Sequence, residues 1–351
     1  MNKLDSRTIR YFDMFAGVGG FRVGLDRAGG YECVGHCEID KHADAAYRRL
    51  HKINKKEVFY EDATKIDTDT LPKFELIVAG FPCQSFSIAG KGKGFDDPRG
   101  AIFFDLAKVV EARKPKYLLF ENVPGLLAHD GGRTFATILN ELWRLRYHVE
   151  FQIINSKDHG VAQSRRRVFI VGYLDDRCAG QILPLRSTNA KTLIQLIDGR
   201  QDPRVYDPDG LVKTPLSRSG VLKIKVDTKK GYQEATFGDS VNISFASANK
   251  KRSRVGYGVV NTLDVACSHG VVTACGRIRR LMPRECFRLQ GFTDSQIDKL
   301  LEGSSDAQAY KQAGNAVTVN VVHALAARLK RVHEDAVAMP IPITQPRLEA
   351  A

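Results

Sequence analysis

The chain has 351 residues, 43% of them hydrophobic and 26% charged, enough apolar content to bury one large core or two modest ones. No run approaches the roughly 18 to 20 apolar residues of a membrane span, and the opening MNKLDSRTIRYF lacks the apolar centre of a signal peptide, so a cytosolic protein with no membrane partner is expected. The net charge of +13 favours a polyanionic partner, and its distribution sharpens the point: thirteen Lys/Arg face four Asp/Glu between Lys213 and Arg280.

Short β-branched and aromatic runs at 9–12, 33–37, 76–79, 117–120, 150–154 and 168–173 read as strands. Amphipathic stretches at 21–28, 42–50, 102–112 and 134–145 read as helices between them, and Gly29-Gly30 caps the first. This alternation implies a doubly wound, mostly parallel α/β sheet. After Leu185, Pro, Gly, Ser, Thr and Lys increase and short alternating runs such as 221–226 appear, so a second, smaller strand-and-loop domain is expected there. A helical stretch over 315–330 returns to the pattern of the first domain.

The seven cysteines are scattered and show no paired CxxC spacing, which argues against a disulfide framework or a zinc site, and no metal is expected. Cys33 and Cys37 flank His36 but read as parts of a buried strand.

Four segments carry candidate chemistry. Between the first strand and first helix lies Asp13-Met14-Phe15-Ala16-Gly17-Val18-Gly19-Gly20-Phe21, whose glycines let the backbone turn tightly and approach a ligand. Glu38 ends the next strand eighteen residues beyond Gly20, where a carboxylate can accept from ribose hydroxyls. This spacing does not separate an adenosyl donor from a dinucleotide, nor either from an unliganded turn. The second segment, Gly80-Phe81-Pro82-Cys83-Gln84-Ser85-Phe86-Ser87, puts a thiol at a strand's carboxyl end ahead of a glycine-rich loop. The third sets Glu121 at the end of the strand of 117–120, suited to sharing a proton. In the fourth, Gln163-Ser164-Arg165-Arg166-Arg167, alternation places Arg165 and Arg167 on one face and Arg166 on the other. Alone, Cys83 reads as an inert small residue and Glu121 as a solvated strand end.

Together with Asp62, Arg280 to Glu285, Arg288 to Phe292 and Gly314-Asn315-Ala316-Val317, these segments occur in one order between residues 10 and 330. In that order and spacing the chain resembles the bacterial or phage DNA (cytosine-5) methyltransferases of restriction-modification systems. Only about 186–275 is unmatched, the region that in this family reads the target sequence.

The resemblance implies S-adenosyl-L-methionine as methyl donor, S-adenosyl-L-homocysteine as product, and double-stranded DNA as partner. It implies a monomer, with a restriction endonuclease acting on the same site. It divides the chain into a catalytic and cofactor-binding domain, 1–185 completed by the helix of 310–335, a target-recognition domain over 186–309, and a disordered tail over 336–351. It assigns Phe15 to the adenine face, Gly17, Gly19 and Gly20 to close backbone approach, Glu38 to the ribose, Asp62 to the adenine amino group and Asn315 to the methionine end. Ile39, Ala63, Pro82 and Val317 complete that site. Cys83 is the nucleophile, Glu121 the general acid, Arg165 the contact to the cytosine carbonyl, and Arg167 the residue that orients Glu121 or neighbouring groups. Ser87, Lys250, Lys251, Arg252, Arg254 and Thr262 fall to DNA, and Arg277 to Arg280 are expected on phosphates. Three rivals share parts of this pattern: a tRNA cytosine-5 methyltransferase, a DNA-binding regulator without catalysis, and a nicotinamide oxidoreductase. The last shares only the first glycine loop.

Overall fold

The computed structural model describes residues 7–82, 102–188, 191–196, 205–206, 212–214, 220–226, 228–243 and 255–338. Its centre is a seven-stranded sheet in the order β3-β2-β1-β4-β5-β8-β6. The strands are β1 (Ile9–Met14), β2 (Tyr31–Cys37), β3 (Val58–Tyr60), β4 (Leu76–Ala79), β5 (Tyr117–Asn122), β6 (His148–Asn155) and β8 (Arg166–Tyr173), while β7 (Gln163–Ser164) lies outside that sheet. The short run of β3 is not legible in the apolar pattern. The central strands read as nearly continuous apolar runs because both faces are covered. Alternate residues divide between two cores: Ile9, Tyr11, Leu76, Val78, Tyr117 and Leu119 face one side, and Phe12, Met14, Ile77, Ala79, Leu118 and Phe120 the other.

Helices α1 (Gly20–Ala28) and α8 (Val319–Ala338) contribute Phe21, Leu25, Val322 and Leu325 to the first core, whereas α3 (Ile102–Arg113) and α4 (Arg133–Arg144) contribute Phe103, Leu106, Ile138 and Leu142 to the second. Helix α2 (Lys41–Leu50) starts at Asp40, whose side chain accepts from the amides of His42 and Ala43. The sheet is parallel except at β8, which is antiparallel to both neighbours. Ten residues separate β6 from β8, with no crossover helix, so the chain must turn back rather than cross over.

The expected helix over 315–330 is instead two. Helix α7 (Asp306–Asn315) ends in extended backbone at Ala316 (φ −61, ψ 142), and α8 begins at Val319. The break falls on Val317-Thr318, β-branched residues that fit extended backbone, and the Thr318 hydroxyl is held by Gln290 Oε1 at 3.0 Å and Ser156 Oγ at 2.8 Å. At the far end α8 runs to Ala338, past the expected start of a tail at 336, and residues 339–351 lie outside the described set.

Beyond Leu185 the elements are short strands: β9 (Val205–Tyr206), β10 (Val212–Thr214), β11 (Leu222–Lys225), β12 (Tyr232–Ala235), β13 (Ser240–Asn242), β14 (Val255–Gly256), β15 (Val260–Asn261), β16 (His269–Val272) and β17 (Ile278–Arg280). They are followed by α5 (Pro283–Leu289) and α6 (Asp294–Leu301). The run expected at 221–226 is β11. Strand β15 pairs with β7, so this part of the chain docks beside the large sheet's edge. No helix among the described residues is long and apolar enough to cross a membrane.

Candidate active site

A cavity of about 640 Å³ opens at the carboxyl ends of the central strands, where the strand order reverses between β1 and β4. Open α/β sheets bind ligands at such a reversal, because successive loops there diverge and leave a crevice.

The first wall is the turn from β1 to α1. Phe15 is held in left-handed backbone (φ 59), strain that an L-residue adopts only when its surroundings impose it. Gly19 turns at φ 83, and a Cβ there would stand 2.2 Å from His51 Nε2. A Cβ on Gly20 would meet Val317 at 2.8 Å, so the helix break described above closes directly on this turn. The Gly17 amide donates to Glu38 Oε2 at 2.7 Å, and the Asp40 amide donates to Oε1 at 2.8 Å. Burial raises the Glu38 pKa and these two bonds oppose the rise. Each carboxylate oxygen keeps a second lone-pair direction for a ligand hydroxyl.

Ile39 stands 68% exposed at the rim, unusual for so large an apolar side chain beside a cavity. Asp62 caps a short turn by accepting from Thr64 N at 3.0 Å and Thr64 Oγ1 at 2.8 Å, bonds that lower its pKa, and Ala63 packs behind it. Asn315 and Val317 line the opposite side with Lys311, whose ammonium pairs with Asp40 at 2.6 Å.

The second half of the cavity gathers the remaining motifs. Phe81 is buried against Phe103 and Phe120, and its carbonyl accepts from Asn122 Nδ2 at 3.0 Å, which pins the stem at Pro82. Cys83 and Ser87 lie outside the described residues, as do Lys250, Lys251, Arg252 and Arg254. Glu121 lies next to Gly80, whose added Cβ would be 3.7 Å from its Oε2. Arg167 Nε reaches Glu121 Oε1 at 2.9 Å, a charge contact between two largely covered side chains. Arg165 is 3% exposed. Its Nη1 makes one long bond of 3.4 Å to the Leu263 carbonyl, and its Nε has no partner. Burial and then the Arg167 cation push its pKa down, and its Nε is left buried without an acceptor. As alternation predicts, Arg165 and Arg167 both line the cavity, while Arg166 is exposed.

Thr262 is exposed, and its hydroxyl donates to the Ser164 carbonyl at 3.0 Å, next to Arg165. The expectation of phosphate contacts from Arg277 to Arg280 needs correction. Arg277 is exposed, but Arg279 is buried in a two-pronged bond to Glu285, at 2.7 and 2.8 Å. Arg280 lies over the Tyr310 ring at 4.0 Å and donates to the Ala266 carbonyl.

Two further residues within these motifs position the site. Asn122 holds the loop stem before Cys83. Gln163, fully buried, accepts from the Leu263 amide at 3.1 Å and donates to the Leu289 carbonyl at 3.0 Å, tying the segment at Thr262 to the sheet. A short amide directly after a strand-end carboxylate was the available signal for Asn122; for Gln163 the partners are too distant in sequence to give one.

A family model described as C-5 cytosine-specific DNA methylase matches residues 9–331. The chain is 33% identical over 328 residues to the type II methyltransferase M.HhaI of Haemophilus parahaemolyticus, covering 91% of this chain and 93% of that one. It is 36% identical over 324 residues to the type II methyltransferase M.HpaII of Haemophilus parainfluenzae, covering 90% and 87%. Among solved structures, the methyltransferase EhMeth of Entamoeba histolytica superposes with a TM-score of 0.66 at 19% identity, over 94% of this chain and 99% of that one. That likeness concerns the fold alone. The family match spans nearly the whole chain and includes every wall of the cavity, and the protein belongs to the C-5 cytosine-specific DNA methylase family.

Proposed function

We propose that this enzyme methylates carbon 5 of cytosine within a specific short sequence of duplex DNA, using S-adenosyl-L-methionine, as the modification enzyme of a restriction-modification system. The observation that carries this reading is the convergence of Glu121, Arg165 and Arg167 with the stem of the Cys83 loop in one cavity, opposite Phe15 and Glu38. The names of the similar type II methyltransferases support the biological setting.

The residues present fit the donor. The cavity volume lies within the range of roughly 300 to 1,000 Å³ usual for cofactor sites. Phe15 offers an aromatic face, Glu38 a carboxylate fixed by two amides, Asp62 and Ala63 a polar edge, and Asn315 and Val317 the far side. When bound, S-adenosyl-L-methionine supplies an electrophilic methyl group and departs as S-adenosyl-L-homocysteine.

The chain's own residues prepare the acceptor. Cytosine C5 is a poor nucleophile until a group adds at C6, and the Cys83 thiolate makes that bond. Glu121 donates a proton or hydrogen bond at N3, so the electron density pushed into the ring is stabilised. The buried Arg165 fork, whose Nε has no partner within the chain, donates to the cytosine carbonyl oxygen, and Arg167 keeps Glu121 in place. Once C5 carries the methyl group, its proton passes to solvent, the C5–H electron pair re-forms the ring double bond as the Cys83–C6 bond breaks to release the thiolate, and Glu121 takes back the N3 proton.

Attack from above the ring plane requires the cytosine to leave the stack, at a cost of a few kcal/mol. The target-recognition domain over 186–309 offsets this cost by gripping DNA, while 1–185 and 310–335 hold donor and cytosine. The enzyme acts as a cytosolic monomer, and a cognate endonuclease cuts the same site when it is unmodified. The reading is tested by incubating the protein with labelled donor and either duplex DNA or tRNA. Label in DNA at one sequence, mapped by bisulfite treatment, is expected; label in tRNA alone sinks it.

A further inference from the structure

Among the described residues beyond Leu185, two aromatic side chains point away from any core: Phe237 is 49% exposed and Tyr257 63% exposed. Isolated exposed aromatics are ordinary on a surface, but these two are linked. Each sits on a tight turn, and one buried carboxylate, Asp239, clamps both turns. Its Oδ2 accepts from Thr236 N at 2.8 Å and Thr236 Oγ1 at 3.0 Å, and its Oδ1 accepts from Gly258 N at 2.9 Å. Backbone bonds fix the turns further, from Gly238 N to Val272 O at 3.0 Å and from Leu193 N to Gly258 O at 2.7 Å. The rings are therefore presented on rigid supports, so little conformational entropy is lost when they bind.

Their surroundings indicate what they meet. The Phe237 turn is entered directly from the β11–β12 hairpin, which carries Lys223, Lys225 and Lys229, the last two exposed. Such charge suits a phosphate backbone. Tyr257 precedes Thr262 by five residues, and an extended chain of that length spans at most about 18 Å. Thr262 is bonded to the Ser164 carbonyl next to Arg165. Tyr257 thus lies on the segment that is anchored, through Thr262, beside Arg165.

We propose that Phe237 and Tyr257 form a rigid aromatic clamp that stacks on DNA bases and sugars flanking the extruded cytosine, with the hairpin lysines on the adjoining phosphates. This inference rests on the DNA-methylating reading above. Stacking and charge separate by salt dependence, because only a lost phosphate contact changes the number of counterions released.

The test is fluorescence anisotropy of the full chain on a short duplex containing the site mapped by bisulfite sequencing, over a range of salt concentrations. Phe237→Ala and Tyr257→Ala should each weaken binding about tenfold with an unchanged salt slope, and Tyr257→Phe should bind like wild type. Lys225→Ala should lower the slope by about one unit. Urea midpoints of the aromatic variants should match wild type, since both rings are exposed. Alanine variants that bind duplex as tightly as wild type overturn the clamp. A lowered salt slope, or loss of self-association in place of DNA affinity, overturns it as well. If wild type itself transfers no methyl group to duplex DNA, the underlying functional reading fails instead.

Discussion

Arg167 Nε lies 2.9 Å from Glu121 Oε1, across the antiparallel pair β5–β8. Glu121 faces Phe169 in the register, and Arg167 precedes Phe169 by two residues, so the pair is a same-face diagonal fixed by strand geometry. Arg167→Ala is predicted to lower kcat by about a hundredfold while donor affinity stays within about twofold of wild type. Arg167→Lys should recover only part of the rate, since an ammonium lacks the planar fork. Single-turnover rates and donor calorimetry on the same samples check both halves; equal losses in rate and donor affinity count against a positioning role.

Glu38 links the two walls of the donor side through the Gly17 and Asp40 amides. Glu38→Ala removes a charged acceptor and frees both amides. A charge-assisted hydrogen bond contributes about 1.5 to 3 kcal/mol, so donor affinity should fall about 10- to 150-fold. Calorimetry with S-adenosyl-L-methionine gives the answer, and unchanged affinity refutes the assignment.

Arg279 and Glu285 are 5% and 1% exposed in their side chains and hold each other at 2.7 Å. Removing one partner strands a buried charge, so Arg279→Ala should cost about 3 to 5 kcal/mol of stability in urea unfolding. Because Arg279 is not a phosphate contact, replacing the pair together, Arg279→Met with Glu285→Leu, removes both buried charges and should leave the salt slope of DNA binding unchanged. A slope reduced by one unit would return Arg279 to the DNA surface.

His51 packs against the Tyr47 ring beneath Gly19. Burial, then the Arg22 cation, lowers its pKa to about 3, from an ordinary value of 6.5. The unfolded chain takes up this proton first. Stability from a neutral His51 is therefore complete above about pH 6.5 and is lost as pH falls toward 3. Between pH 7 and 5 the loss is about 2 kcal/mol. His36, also lowered by burial, acts in the same direction, whereas the buried Asp13 carboxyl, raised by burial, acts in the opposite one. The difference between wild type and His51→Gln isolates the effect: the variant should lose less stability over that interval. Identical pH dependence in the two proteins refutes it.

Much of this arrangement was legible in the sequence. Strands such as Leu76–Ala79 announce themselves because burial on both faces demands an unbroken apolar run, and the glycine turn is visible because only glycine tolerates φ 83 over His51. The pairing of Arg165 with Arg167 followed from strand alternation. What was hidden depends on partners remote in the chain. Nothing near Arg279 tells a buried ion pair from a phosphate contact, since the deciding fact is that Glu285 turns inward on α5. The break at Val317-Thr318 is likewise a tertiary outcome, imposed by Gln290 and Ser156 on a stretch whose local pattern is helical.

The proposed mechanism requires Cys83 to form a covalent bond to cytosine C6. Duplex DNA carrying 5-fluorocytosine at the mapped site tests this directly, because fluorine does not leave as the C5 proton does and the adduct persists. With wild-type enzyme and S-adenosyl-L-methionine, a denaturant-resistant protein–DNA species is predicted, with Cys83 as the modified residue in peptide mass spectrometry. Cys83→Ser should form none while binding the duplex with near-normal affinity. A Cys83→Ser enzyme that methylates at the wild-type rate, or an adduct mapped to another residue, would contradict the mechanism.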